Sequence, residues 1–135
     1  LIALHGLARI KWEAGMPFKR YVVELGYGAD LHGADPTKAA IRAVKDAISR
    51  SCLCGLFDIV GIEDPGEMHV AVKIGCPKPG DVVAEEVLAE IPFGTKELEV
   101  VEGGLLTQGL EVPSLGSGDN ILVAIASLTV SVNID

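Results

Sequence analysis

A single α/β (α+β) domain, with a mixed, mostly antiparallel sheet of four to five strands and two helices on one face, is what this sequence predicts. Three observations carry that expectation. The 135 residues fill one core comfortably, because chains divide into separate cores only well beyond this length. The composition is 49% hydrophobic but only 4% aromatic, so the core has to be assembled from Val, Ile, Leu and Ala, as in a sheet covered by helices. A strand, a loop and a helix also occur twice in succession, once after Val23-Glu24-Leu25-Gly26 and once after Val72-Lys73-Ile74-Gly75, which is a split βαβ pattern.

In chain order, residues 1–15 start without methionine, and Met16-Pro17-Phe18-Lys19-Arg20 has the form of a natural beginning. The expected division is an N-terminal extension or expression remnant over 1–15 and one domain over 16–135. Leu4, Leu7 and Ala8 give the prefix the loose spacing of a short docking helix. The first strand runs from Arg20 to Leu25, with Tyr21, Val23 and Leu25 on one face and Val22 and Glu24 on the other. A glycine-rich loop over 26–33 leads to Asp35, a good N-cap, and Pro36, favoured in the first helical turn. In the helix that follows, Ala40, Ile41, Val44, Ala47 and Ile48 recur at 3.6 spacing, with Lys38, Arg42, Lys45 and Ser49 opposite. Asp46 precedes Arg50 by four, the favourable order for a helical ion pair.

Phe57 to Ile62 reads as the second strand, and Glu63-Asp64-Pro65-Gly66 as a type II turn closing a hairpin. The return strand, Met68 to Ile74, alternates Met68, Val70, Val72 and Ile74 against His69, Ala71 and Lys73. A shorter helix follows, Val83, Ala84, Val87, Leu88 and Ile91 inward and Glu85, Glu86 and Glu90 outward, ended by Pro92 and Gly94. Glu97 to Val101 is a further strand. The glycine-rich section over 103–120 then holds turns around a short extended piece at Leu105-Leu106, and loops this long are often functional. The last strand starts at Ile121 and is long enough to project past the sheet, offering its Ser127, Thr129, Ser131 and Asn133 face to a neighbouring chain.

The order β-α-β-β-α-β(-β) fits a ferredoxin-like or chorismate-mutase-like arrangement. With the two leading strands parallel and adjacent, Glu24 and Lys73 become neighbours on the face away from the helices. That face would carry Val22, Glu24, His69, Ala71 and Lys73, too apolar to be simply wet, so a homo-oligomer through the open sheet face is expected, a ring or trimer.

The net charge of −8 argues against nucleic acid or an anionic membrane as partner, both of which need a basic footprint. No run of about 18 apolar residues is present to span a bilayer. Cys52, Cys54 and Cys76 are an odd number without a disulfide framework, so reduced thiols and a cytoplasmic location are expected, or an organelle stroma for a plant or algal source. Neither Cys-x-x-Cys nor His-x-x-x-His spacing occurs, and no metal site is expected.

The densest chemistry stands in the loop over 26–33. Backbone N–H groups around Gly26, Gly28 and Gly33, ahead of a helix N-terminus, can make a nest for a small anionic ligand, with Lys38 and Arg42 nearby. His32 can serve as an acid or base and Asp30 can orient it or share its proton, which makes the two a catalytic candidate pair. The structural alternative is a sharp strand-to-helix turn capped by Asp30, with His32 bonded to backbone. The dinucleotide fingerprint is absent, because Leu31 occupies the position of its third glycine.

Gly26-x-Gly28-x-Asp30-x-His32-Gly33, with Thr37-Lys38-Ala39-Ala40 and Ser51-Cys52-Leu53-Cys54-Gly55 beyond it, resembles a small family of uncharacterised conserved proteins. That family occurs in Firmicutes, cyanobacteria and, with a long N-terminal extension, plants, and is marked by an N-terminal Gly-x-Gly-x-Asp-x-His-Gly motif. The resemblance runs from about Lys19 to the C-terminus and implies no particular reaction or cofactor. The expected function is therefore a small-molecule-binding enzyme using Asp30 and His32, with a non-catalytic ligand-binding or assembly protein as the alternative.

Overall fold

The longest strand in the chain, β5 (Asn120–Asn133), is the axis of the sheet. The computed structural model describes residues 18–115 and 118–134, so the prefix expected over 1–15, with its docking helix, lies outside the described residues. On one side β5 pairs antiparallel with β1 (Phe18–Asp30). On the other it pairs antiparallel with β2 (His69–Gly75) and, further along, with β4 (Leu105–Gln108). β3 (Thr95–Val101) joins β2 in parallel, giving a five-stranded, mostly antiparallel sheet of order β1-β5-β2-β3. The mixed sheet and its helices are those expected, but β5 does not project. Both its edges are taken, so it offers no pairing edge to a neighbouring chain, and Ser131 on it is fully buried.

Helix α1 (Pro36–Ile48) begins as the sequence dictates: the Asp35 side chain accepts from the N–H groups of Thr37 at 2.9 Å and Lys38 at 3.3 Å, and Pro36 supplies a turn that needs no donor. Its Ala39, Ala40, Ala43, Val44 and Ala47 are buried against Leu122, Ala124, Ala126 and Leu128 of β5. The short helix α2 (Ala84–Leu88) adds Val87, with Ile91 just beyond, while Val83 at its N-cap stays exposed. Val70, Val72 and Ile74 of β2 and Leu98 and Val100 of β3 complete a core that, among the described residues, holds no Phe, Tyr or Trp.

Three local expectations are corrected. The segment read as a second strand is a π-helical turn, Leu56–Val60, stopped by Gly61 at φ 84. A short apolar run is ambiguous by periodicity alone, and here Leu56 and Ile62 are buried, Val60 packs against the core half-buried, and Phe57 and Ile59 are exposed. The hairpin turn is instead a 3-10 turn, Pro65–Glu67, closed by a capping box between Asp64 and Glu67. The leading strands β1 and β2 run in the same direction but β5 lies between them: Glu24 and Val72 both pair with Leu128, while Lys73 shares its rung with Ser127 and Leu25. Glu24 and Lys73 are thus on opposite faces. Through these pairings Val22, Glu24, Gly26 and Gly28 face the helices, and Val23, Leu25 and Tyr27 join Ala71 and Lys73 on the open face.

Candidate functional site

Gly26 and Gly28 are strand residues of β1, not loop residues, and the reason for glycine is α1. A Cβ on Gly26 would lie 2.4 Å from the Ala47 backbone nitrogen, and one on Gly28 would lie 2.4 Å from that of Ala43. Both distances are far inside van der Waals contact, so the helix backbone fills the space that a ligand would need on this face. The stretch expected as a loop over 26–33 is strand as far as Asp30. Its remaining glycine, Gly33, makes a single parallel bridge to Asn120, and a Cβ there would approach Asp30 Oδ2 to 3.1 Å.

Asp30 closes β1 and is 7% exposed. Its Oδ2 accepts from the Asp35 N–H at 2.8 Å, and its Oδ1 lies 3.8 Å from Arg42 Nη1. The carboxylate thus ties the end of the strand to the start of α1. His32 is half-buried and turned elsewhere, with Nδ1 3.3 Å from the Leu110 carbonyl oxygen, which selects the tautomer that donates from Nδ1. The structure therefore brings together Asp30, Gly33 and Arg42 around the turn, places His32 against the section over 103–120, and leaves Lys38 exposed on the first turn of α1. No hydrogen bond joins Asp30 to His32.

The polar side of α1 caps a sheet edge. Arg42 Nη1 donates to the Ala29 carbonyl at 2.6 Å, Asp46 Oδ2 accepts from the Tyr27 N–H at 2.9 Å, and Arg50 donates to the Leu25 carbonyl at 3.4 Å while pairing with Asp46 at 2.5 Å. These are the outward backbone groups of β1, which an uncovered edge would offer to another strand. The Tyr27 N–H first, and then Arg50, hold the Asp46 carboxyl below its ordinary range. Lys45 meets Glu90 of the same chain at 3.5 Å.

The cavity that sequence reasoning missed lies at the other end of the helical face. A cleft of about 570 Å³ is walled by Ile48, Leu53, Phe57, Met68, Val70, Ile91, Phe93, Leu128 and Val130, with Glu24, Ser51, Cys52, Cys54 and Asp58 as its polar groups. Glu24 reaches it because β1 turns that residue inward, and its carboxylate accepts from the Ser51 hydroxyl. Cys52 and Cys54 are exposed, whereas Cys76 is buried in the core. The available sequence signals were Ser51-Cys52-Leu53-Cys54-Gly55 and a carboxylate in a strand whose neighbours face a core. Among the described residues no group of three or more His, Cys, Asp or Glu side chains forms a metal site, and no helix is long and apolar enough to cross a membrane.

A family model described as conserved hypothetical protein (Lin0512_fam) matches residues 20–130. The chain belongs to this family. Among solved structures, a crystal structure from Nostoc punctiforme PCC 73102, described as an FtsZ-like protein of unknown function, is 44% identical with a TM-score of 0.81, covering 89% of this chain and 100% of that one. An FtsZ dimer from M. jannaschii is 16% identical with a TM-score of 0.32, over 78% of this chain and 26% of that one. No curated protein matches. In this Lin0512-family chain Gly26 and Gly28 pack against the backbone of α1, Asp30 bonds to the N–H of Asp35, and His32 lies against Leu110, while Glu24 lines a separate cleft of about 570 Å³.

Proposed function

We propose that this protein is a non-catalytic binding module whose cleft, between the C-terminal end of α1, the π-helical turn and the sheet, holds a small, largely apolar molecule. The observation that carries the reading is the cleft: about 570 Å³, apolar walls and a few polar groups at one side, within the size range of ligand pockets of roughly 300–1,000 Å³. The alternative of an enzyme using Asp30 and His32 draws less support. Asp30 is buried in bonds to its own turn, and neither residue lines the cleft. A small anionic ligand at Arg42, Lys38 and Gly33 has Arg42 against it, since that guanidinium is engaged with Ala29 and Asp30. The test is a thermal-shift screen of small apolar compounds on the wild type, Leu53→Trp and His32→Ala. Binding that Leu53→Trp abolishes and His32→Ala leaves intact supports the cleft; the reverse pattern returns the site to the turn.

A second reading concerns assembly. Val23, Leu25, Tyr27 and Ile125 stand 48%, 61%, 65% and 51% exposed on adjacent rungs of the open sheet face, an apolar patch of the kind that marks a protein interface. A homo-oligomer through this face predicts that Tyr27→Lys lowers the sedimentation coefficient of the wild-type protein to that of a monomer.

A further inference from the structure

Charge separates the cleft from the rest of the helical face. Among the described residues its ionisable lining consists of two carboxylates, Glu24 and Asp58, and two thiols, Cys52 and Cys54, with no Lys, Arg or His. The nearest basic side chains on α1 and just after it are spent outside: Arg42 on the Ala29 carbonyl, Lys45 on Glu90, and Arg50 on Asp46 and the Leu25 carbonyl. An anionic head entering the cleft would meet like charge and no cation. A cationic head would meet a carboxylate backed by apolar wall, where a charge-assisted hydrogen bond is stronger than in water.

Glu24 is the particular residue. It sits on the core-facing side of β1, two residues from Val22 and Gly26, with Leu128 as its cross-strand partner. A carboxylate in such a position is costly to desolvate unless hydrogen bonds and opposite charge compensate. The Ser51 hydroxyl supplies one bond, and an ionised carboxylate accepts about four; Glu24 is half-buried and lines the cleft, so acceptor capacity remains for a ligand.

From this we infer that the ligand class is a cationic amphiphile: a protonated amine or amidinium head that pairs with Glu24, carried on an apolar chain or ring system lying along Val70, Leu128 and Phe93. The inference rests on the cleft reading above and adds the sign of the head group and the residue that reads it. An apolar body alone would bind without regard to charge. The Glu24 contact makes the difference between an amine and a carboxylate of the same length.

The experiment is calorimetric titration of the protein with n-octylamine, n-octanol and n-octanoate, all below their aggregation concentrations, at neutral pH. Four proteins are compared: wild type, Glu24→Gln, Leu53→Trp, and Glu85→Gln, which removes a carboxylate outside the cleft. The expected result is that wild type binds octylamine at least about tenfold more tightly than octanoate, as one charge-assisted hydrogen bond implies. Glu24→Gln, which keeps the shape and a bond to Ser51, should bring octylamine down to the octanol level and leave octanol unchanged; Glu85→Gln should change neither. Octylamine should also slow alkylation of Cys52 and Cys54. Octanoate binding as tightly as octylamine, or octylamine affinity that Glu85→Gln lowers as much as Glu24→Gln, overturns the cationic assignment while leaving the cleft reading in place. Absence of binding by all three compounds, or binding that Leu53→Trp does not affect, overturns the cleft reading and this inference with it.

Discussion

Replacing Gly28 by alanine tests whether the motif glycines exist for helix packing. The added Cβ would stand 2.4 Å from the Ala43 nitrogen, 2.5 Å from Arg42 Cβ and 2.6 Å from the Arg42 carbonyl carbon. Two of these are helix backbone atoms, so no rotamer change relieves the contact, and α1 has to move by about 1 Å away from β1, a distance that opens voids in a close-packed core. Overpacking of this kind costs about 1–3 kcal/mol, and alanine returns about 0.5–1 kcal/mol as the better strand residue. The net expectation is a loss of about 1 kcal/mol, or about 0.5 M in the urea midpoint for a domain of this size, followed by far-UV circular dichroism. Gly80→Ala is the control. Nothing lies within 4 Å of its Cβ position, so it should be neutral or slightly stabilising. Ala43→Gly in the Gly28→Ala background should not rescue, because the clash is with the Ala43 nitrogen, not its side chain. A Gly28→Ala midpoint equal to that of wild type would refute the packing argument and reopen a ligand role for the glycines.

The turn, the sheet edge and the buried thiol give three further expectations. Asp30→Ala strands the Asp35 N–H and should cost about 1–3 kcal/mol in urea unfolding, whereas His32→Ala, at a half-exposed residue, should stay within about 0.5 kcal/mol. Asp46→Ala should speed amide exchange at the Tyr27 N–H. In the wild type, whose Asp46 carboxyl is held low by that N–H and by Arg50, the protection should persist through the ordinary carboxyl range and be lost only as pH falls through the lowered value. Burial first, and then the charge of Glu102, push the Cys76 thiol up to about 11. The unfolded chain ionises it nearer 9.0, so wild-type stability is retained below that pH and falls as pH rises from there to about 11, by about 2 kcal/mol relative to Cys76→Ala.

Much of the fold was legible because local signals and packing agreed. Asp35-Pro36 could hardly do other than start a helix, and the alternation over Met68 to Ile74 assigned every β2 side chain to its face. The failures share one physical origin, since strand order and facing are set by partners that are remote in sequence. Nothing near Val22 or Glu24 says which side α1 will cover; that is decided by Gly26 and Gly28, two and four residues on from Glu24, where only a residue without Cβ admits the helix. Phe57 to Ile62 has strand composition, but the place beside β2 that a hairpin would give it is taken by β5, whose residues come sixty positions later. The motif drew attention to Asp30 and His32 because glycines beside a carboxylate and an imidazole suit both a site and a tight turn. The cleft escaped because its walls come from five separate stretches of chain, and the strand carboxylate in it, Glu24, looked like an ordinary exposed residue once the facing was reversed.

The glycines and the cleft are also mechanically connected through α1, and the two glycines should differ in how they affect it. A Cβ on Gly28 presses on Arg42 and Ala43, near the middle of the helix, whereas one on Gly26 presses on the Ala43 carbonyl and on Ala47, in its last turns. The residues just after Ala47 build the cleft: Ile48 ends α1, and Ser51, Cys52 and Leu53 follow directly. Glu24, one inward position before Gly26, forms the opposite side and is bonded to Ser51. A helix pushed outward at Ala47 therefore separates Ser51 from Glu24, while one pushed at Ala43 tilts about a point further from that pair. Gly26→Ala should weaken octylamine binding and change the alkylation rates of Cys52 and Cys54 under conditions where the protein is still fully folded. Gly28→Ala should lower stability comparably but leave binding and alkylation near wild type. Equal effects of the two substitutions on the cleft would mean that α1 moves as a rigid body, and the packing glycines would then have no selective hold on the binding site.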